Sequence, residues 1–374
     1  MTRILKTGIL AIVTLLLLSA CWDQHLLKDV KLFMAASFDL TPDGKILDEL
    51  TSPIIKKNQE GGGVSGYTIS SGLGNTPREA RADIDRKSEK VFDASKLRVL
   101  IIGNELAKKD IYSVLDLFYR DPKSALSAKV VVAEGMGKDL LRINIEEEKA
   151  SSYFYDLLES QEIASLIPAE NIQSICAEMF DPGEDFVLPF LRPSEDRKAA
   201  SVEGIALFND RKFTGRVLTG DEAVIFLLLD GNSGKSPKFT KRISEGESFK
   251  PPHFVSFTVK KAKETLEVKV KNNRAIANIH LKLKIDITDY VKNHLYNKQE
   301  ITKLNNKLSE MLTNDAAATI KTLQEANSDS LGIGRRLIAQ YPDYWKHVDW
   351  IKEYPNVVIT PKVVVEIVGH GIIE

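Results

Sequence analysis

The chain has 374 residues, 51 basic and 52 acidic side chains, a formal net charge of −1, and two cysteines, Cys21 and Cys176. Near-neutral charge argues against a general nucleic-acid binder, which would show a basic face or stripe. The length passes the roughly 250 to 300 residues at which single cores stop growing, so two or three domains are expected.

Arg3 and Lys6 form a positive head, residues 7–20 carry no charge and are mostly apolar, and Cys21 follows directly. A run this short does not span a bilayer comfortably, because the hydrocarbon core takes about 20 apolar residues in a helix. It reads as a secretion signal. Leu18-Ser19-Ala20-Cys21 places two small residues before a cysteine, the pattern of a bacterial lipoprotein signal. The expectation is that Cys21 receives a diacylglyceryl thioether and becomes the mature N-terminus, two acyl chains sufficing where one is marginal. The alternatives are an ordinary signal that leaves Cys21 free and a poorly cleaved anchor. With Cys21 acylated, only Cys176 remains, so no internal disulfide forms; its apolar neighbours at helical spacing place it in a core.

After a tether at 21–30, residues 32–39 read as a strand, Thr41-Pro42-Asp43-Gly44 as a turn, and 46–55 as its hairpin partner. The glycine-rich 56–63 reads as a surface turn and 67–71 as one more strand. Thr76-Pro77-Arg78-Glu79 has the spacing of a capping box with proline in the first turn, which predicts a helix to about residue 92. Strand 98–102, helix 105–119 and strand 129–133 follow, a succession that suggests a mixed sheet carrying helices. Helices are expected over 151–161 and 169–180, then an edge strand over 186–191 because Pro189 interrupts it.

The charged stretch 192–200 is the expected domain boundary. Beyond it come a hairpin, 202–208 with 212–218, and a helix at 223–229 introduced by a second capping-box spacing, residues 219–222. Alternating strands follow at 254–263, 266–272 and 275–287, with Asn272-Asn273 as the last turn, an antiparallel meander. Residues 299–325 are the clearest helix, apolar on one face, and serve to cover that sheet. Helix 331–341 and strand 357–368 close the chain. The expected layout is a signal at 1–20, a lipidated tether at 21–30, a mixed α/β domain at 31–195 that can subdivide, and an α+β domain at 196–374 in which 202–245 can stand apart. The fold class is therefore α+β or mixed α/β in several domains.

Gly231 to Ser236 look like a phosphate-binding loop but have two residues between the glycines instead of four, and Pro237 follows. The six histidines are dispersed, without metal-ligand spacing. Residues 181–185 carry three carboxylates that suit a hard cation, yet lack the regular spacing of a calcium loop, so a solvated helix stop is the expectation. No cofactor, metal or catalytic residue is expected, and no enzyme.

Several stretches together resemble the Ger(x)C spore germination lipoproteins, the C subunits of nutrient germinant receptors: the lipobox with Trp22-Asp23, Gly74 to Ala80, Ile101 to Lys109, Leu117 to Pro122, Glu203 to Phe208, and Asp329 to Gly334 with Pro342, Trp345, Trp350 and Gly371. The chain departs from the family at Gln24-His25-Leu26-Leu27, where an acidic residue is frequent. The resemblance implies a non-enzymatic lipoprotein on the outer face of the spore inner membrane, assembled with A-type and B-type receptor subunits and binding no nucleic acid. Direct germinant contact is left open, with a solute-binding lipoprotein as the alternative. Arg120 and Asp121, beside the fixed turn at Pro122, are candidates for partner contact; the competing role for Arg120 is a local cap at the negative end of its helix.

Overall fold

The computed structural model describes residues 30–58, 61–143, 150–196, 198–246, 251–292 and 295–371. The expected signal, the lipidated Cys21 and most of the tether lie outside the described residues, as does the tip of the 56–63 turn. The expected mixed α+β fold is found. An eight-stranded sheet and a four-stranded sheet carry most of the chain.

The first hairpin opens the large sheet. After the short Val30–Leu32 (β1), Ala35–Leu40 (β2) pairs antiparallel with Ile46–Asn58 (β3), and β3 with Gly61–Gly74 (β4). The turn expected at 56–63 is thus mostly strand, paired out to Asn58 and Gly61. Pro77–Asp85 (α1) follows, and Thr76 Oγ1 accepts from Glu79 N–H at 3.1 Å as the capping pattern requires. Glu79 closes the cap on Asn75 rather than on Thr76. This helix ends seven residues before its expected limit. Phe92 is buried on Val91–Asp93 (β5), which pairs parallel with β1, and its N–H is held by Asp85 Oδ1 at 3.0 Å.

Val99–Gly103 (β6) enters the sheet parallel to β2. The expected helix 105–119 is broken into Asn104–Ala107 (α2) and Tyr112–Tyr119 (α3), because Asp110 Oδ1 takes the Tyr112 N–H at 2.9 Å and restarts the turn. Lys129–Ala133 (β7) and, after Gly137–Leu141 (α4), Ala150–Ile163 (α5) and Ile172–Met179 (α6), Val187–Pro193 (β8) continue the parallel core. These strands are buried on both faces, as parallel strands under helices are. Leu100, Ile102, Val130 and Val132 face α3 and α6, while Val99, Ile101, Val131 and Ala133 face α4 and α5. Cys176 on α6 is half-buried.

Pro189 does not mark an edge. β8 lies inside the sheet, but β7 overlaps it only at Phe190 and Leu191, so proline sits beyond that ladder. Ala200–Asn209 (β9) then pairs antiparallel with β8, and Lys212–Thr219 (β10) with β9. The charged stretch expected to divide two domains is therefore the turn of a hairpin, and the large sheet runs through it. Val187, Ile205, Leu207 and Leu218 belong to the same core as the C-terminal half.

Asp221–Asp230 (α7) follows, without the expected side-chain cap: its N-cap is Gly220. Lys238–Arg242 (β11), Phe254–Lys271 (β12) and Arg274–Asp289 (β13) form the antiparallel part of the small sheet, with β12 one continuous strand in place of two. Asn272 and Asn273 make the turn at φ of 49° and 59°, a left-handed pair that asparagine tolerates. Lys298–Glu325 (α8) covers this sheet with Leu304, Leu308, Leu312, Ala316, Ile320 and Leu323. The chain then passes through Ile333–Gln340 (α9), Pro342–Trp345 (α10) and Trp350–Glu353 (α11) into Val358–Gly369 (β14). β14 pairs parallel with β13, so the meander ends in a crossover. Its outer edge is closed by α8: Thr313 Oγ1, Ser309 Oγ and Asn305 Oδ1 accept from the N–H groups of Val363, Val365 and Ile367 at 3.0, 2.9 and 3.0 Å.

Candidate functional site

The most built-up polar site lies where the end of α6, the β9–β10 turn and the loop after α8 meet. Asp185 is its centre. One carboxylate oxygen accepts from the N–H of Asp210 at 2.7 Å and the other from that of Asp329 at 2.8 Å. Asp329 in turn accepts from Ile333 N–H at 3.0 Å, Gly334 N–H at 2.7 Å and the Trp350 indole at 2.9 Å. Arg335 bridges back, its side chain 2.7 Å from Glu184 and 3.3 Å from Asp181 while its N–H donates to Gly183 O at 2.8 Å. That approach is why residue 183 is glycine: a Cβ there would stand 2.4 Å from Arg335 N. Asn327, at φ 51°, donates from its side chain to Ile351 O, and its carbonyl accepts from Asn209.

Two cavities flank this knot. One, about 360 Å³, is lined by Phe180, Asp185, Asp210, Asp329, Trp350 and Tyr354 among others. Tyr354 is 1% exposed, and its hydroxyl has no hydrogen-bond partner among the described residues. The other, about 300 Å³, gathers Glu170, Glu178, Glu184, Asp185 and Asp230. Burial drives their chemistry. It pushes Glu178 up to about 8, with the Glu170 and Glu184 charges adding to it. Asp230 rises to about 7 and Asp185 to about 6, in each case from burial first, opposed by the Asn232 side chain and by the two backbone amides respectively. Asp329 is raised too, by burial, against the amides of Gly334 and Ile333. Glu178, Asp230 and Asp185 thus exchange protons near neutrality. Among the described residues no set of three or more His, Cys, Asp or Glu side chains is placed to hold a metal ion.

The cation-binding idea for residues 181–185 thus gives way to a structural one, and so does the solvated helix stop. Asp181 and Glu184 face Arg335, and Asp185 is spent on amides. Arg120 and Asp121 lie elsewhere, at the end of α3. Arg120 Nε donates to both carboxylate oxygens of Asp116 at 2.8 Å, and Asp121 accepts from Lys123 N–H at 3.0 Å, so each is held locally and neither holds the other. Trp345 and Trp350 pack at 5.6 Å between ring centroids against the C-terminal core. From the sequence Asp329 stood out only as part of a family-resembling stretch, without a role, and Glu170, Glu178 and Asp230 were not singled out.

The comparisons agree over nearly the whole chain. A family model described as the spore germination protein N-terminal domain matches residues 23–193, and one described as spore germination B3/GerAC-like, C-terminal, matches 203–371. Among curated proteins of Bacillus subtilis (strain 168), spore germination protein KC is 24% identical, covering 95% of this chain and 92% of that one. The putative spore germination protein YfkR is 20% identical over 90% and 89%, and spore germination protein B3 is 22% identical over 89% of each. The fold is that of the crystal structure of the GerBC protein, with a TM-score of 0.57 over 89% of this chain and 97% of that one at 18% identity. Matched in both halves, the chain belongs to the GerAC-like, or Ger(x)C, family of spore germination proteins.

Proposed function

We propose that the protein is the lipid-anchored C subunit of a nutrient germinant receptor, held on the outer face of the spore inner membrane through Cys21 and assembled there with A-type and B-type integral-membrane subunits. The observation that carries this reading is the family match through both halves, together with a lipobox at Leu18-Ser19-Ala20-Cys21. No described helix is long and apolar enough to cross a membrane. The subunit works by holding partners, not by bond-making chemistry, a reading supported by its relatives being germination proteins. Replacing Cys21 by Ala should abolish lipid labelling, shift the chain out of the membrane fraction and impair germination. Unchanged labelling would overturn the anchor, and intact receptor subunits that never co-purify with the chain would overturn the assembly.

A second reading, direct sensing of a small solute, is favoured by one feature. The 360 Å³ cavity joins carboxylates, aromatic rings and the unpartnered Tyr354 hydroxyl, a lining suited to a small organic ammonium compound. Calorimetry of the soluble chain with alaninamide and with propionate separates the readings: binding of the first alone supports sensing, and binding of neither leaves the scaffold reading.

A further inference from the structure

The sequence shows no basic stripe, yet the fold makes one. β12, β13 and β14 present one face to α8 and the core and the other to solvent, and the solvent face collects cations. Across the β12–β13 ladder, Lys261 stands opposite Lys284, Lys263 opposite Lys282, and Lys271 opposite Arg274. Lys269 and, on β14, Lys362 point the same way, against the carboxylates of Glu267, Asp286 and Glu366. Of these eight cations, Lys284 is paired with Glu366 at 3.4 Å and Lys269 with Glu267 at 3.7 Å, while Lys261, Lys263 and Lys282 have no carboxylate partner among the described residues. Those three and Lys284 surround a shallow depression of about 250 Å³ beside Val364.

Like charges directly opposite in a ladder repel and weaken it. Three such pairs on one face, in a chain whose overall charge is −1, oppose the stability of the strands that carry them. An anionic surface laid against the face would relieve that repulsion.

We propose that this face of the C-terminal sheet lies on a membrane surface and binds anionic lipid headgroups. The ladder from Lys261 to Lys271 is about 33 Å long at strand spacing, a flat strip rather than a pocket. Seven of its eight cations are lysines, compact mobile charges that suit a fluid layer of headgroups; a fixed protein partner favours arginine, and lysine is depleted at protein interfaces. No Phe, Tyr or Trp stands among the outward positions from Lys261 to Lys271, from Arg274 to Asp286 or along β14, so the stacking platform of a single-strand nucleic-acid binder is missing. Exposed Val358, Val364 and Val368, interspersed with Thr360, Lys362 and Glu366 on the same face of β14, add the small apolar contacts that interfacial binding uses. The inference goes beyond the receptor reading and does not require Cys21 to be acylated.

The test uses the chain without residues 1–21, the expected signal and anchor cysteine. It is floated with vesicles of phosphatidylcholine alone and of phosphatidylcholine with phosphatidylglycerol. Binding is expected to the anionic vesicles only and to fall with salt. The triple variant Lys261→Gln, Lys263→Gln, Lys282→Gln should bind about 100-fold more weakly, since each lysine near such a surface is worth roughly fivefold. A control with Lys96, Lys109 and Lys123 changed to Gln should bind as the parent does. Thermal melting of the triple variant should be unchanged or higher, because repulsion is removed, and this verifies that lost binding is not lost folding. Equal binding to neutral vesicles, no loss in the triple variant, or tighter binding to polyglutamate or single-stranded DNA than to anionic vesicles would overturn the proposal. None of these outcomes bears on the Cys21 labelling experiment.

Discussion

Asp185 shows how one side chain can hold distant parts of a chain together. Its two oxygens satisfy amides from the β9–β10 turn and from the loop after α8, so Asp185→Ala leaves the N–H of buried Asp329 without its partner and returns that of exposed Asp210 to solvent. Loss of the buried bond costs about 1 to 3 kcal/mol. We expect the variant to lose on the order of 1 to 3 kcal/mol in denaturant unfolding, and Asp185→Asn, which keeps one acceptor, to lose less. Glu178 makes the opposite kind of prediction. Burial raises its pKa in the folded chain from 4.5 to about 8, so the folded state holds a proton that the unfolded state has released. Stability from that proton is fully present below about pH 4.5 and is lost as pH rises through about 8. Glu178→Gln should therefore raise the melting temperature at pH 8 by a few degrees and leave it nearly unchanged at pH 4.5, measured by calorimetry. A gain of equal size at both pH values would show that packing, not charge, is responsible. Neither role was legible in the sequence. Asp185 was visible as one of three nearby carboxylates, but its partners are 25 and 144 residues away, and burial is a property of the assembled fold.

Elements were legible where their pattern is long and local. α8 repeats its apolar spacing over 28 residues and was readable almost to the residue, as was the Asn272-Asn273 turn, whose chemistry is contained in two side chains. The failures have tertiary causes: α1 stops early so that Phe92 can be buried, and Pro189 is tolerated inside the sheet because the β7–β8 ladder begins only at Phe190. What the periodicity of α8 did not disclose is the use of its polar flank. Asn305, Ser309 and Thr313 act as a substitute strand for the free edge of β14, four residues on the helix matching two on the strand. The two steps are about 6.0 and 6.6 Å, close enough to stay aligned over three rungs. Changing the three to Ala, Ala and Val strips the edge of its partners while keeping helix propensity. The expected result is a loss on the order of 2 kcal/mol or more and a concentration-dependent association by light scattering, since an open edge is a template for pairing. A variant that stays monomeric and equally stable would remove the edge-closing role.

At the scale of the molecule, the two family matches meet between residues 193 and 203, close to where the sequence suggested a boundary, and the large sheet passes through that place. β8 comes from one side and β9 from the other. The turn between them is exposed, so a protease should cut at 194–199 early, and the two fragments should remain together on gel filtration until denaturant is added. Fragments that separate at once would mean that the shared ladder contributes little. The seam also bears on how the chain is made. Emerging N-terminus first, residues up to 193 can assemble the parallel core, but β8 then presents an unpaired edge until β9 is complete at Asn209, 16 residues later. At 5 to 20 residues per second that interval is about 1 to 3 s, far longer than a hairpin takes to close. The half-made sheet thus has an open side for seconds during each synthesis, and it is there, before the protein is complete, that a chaperone is most needed.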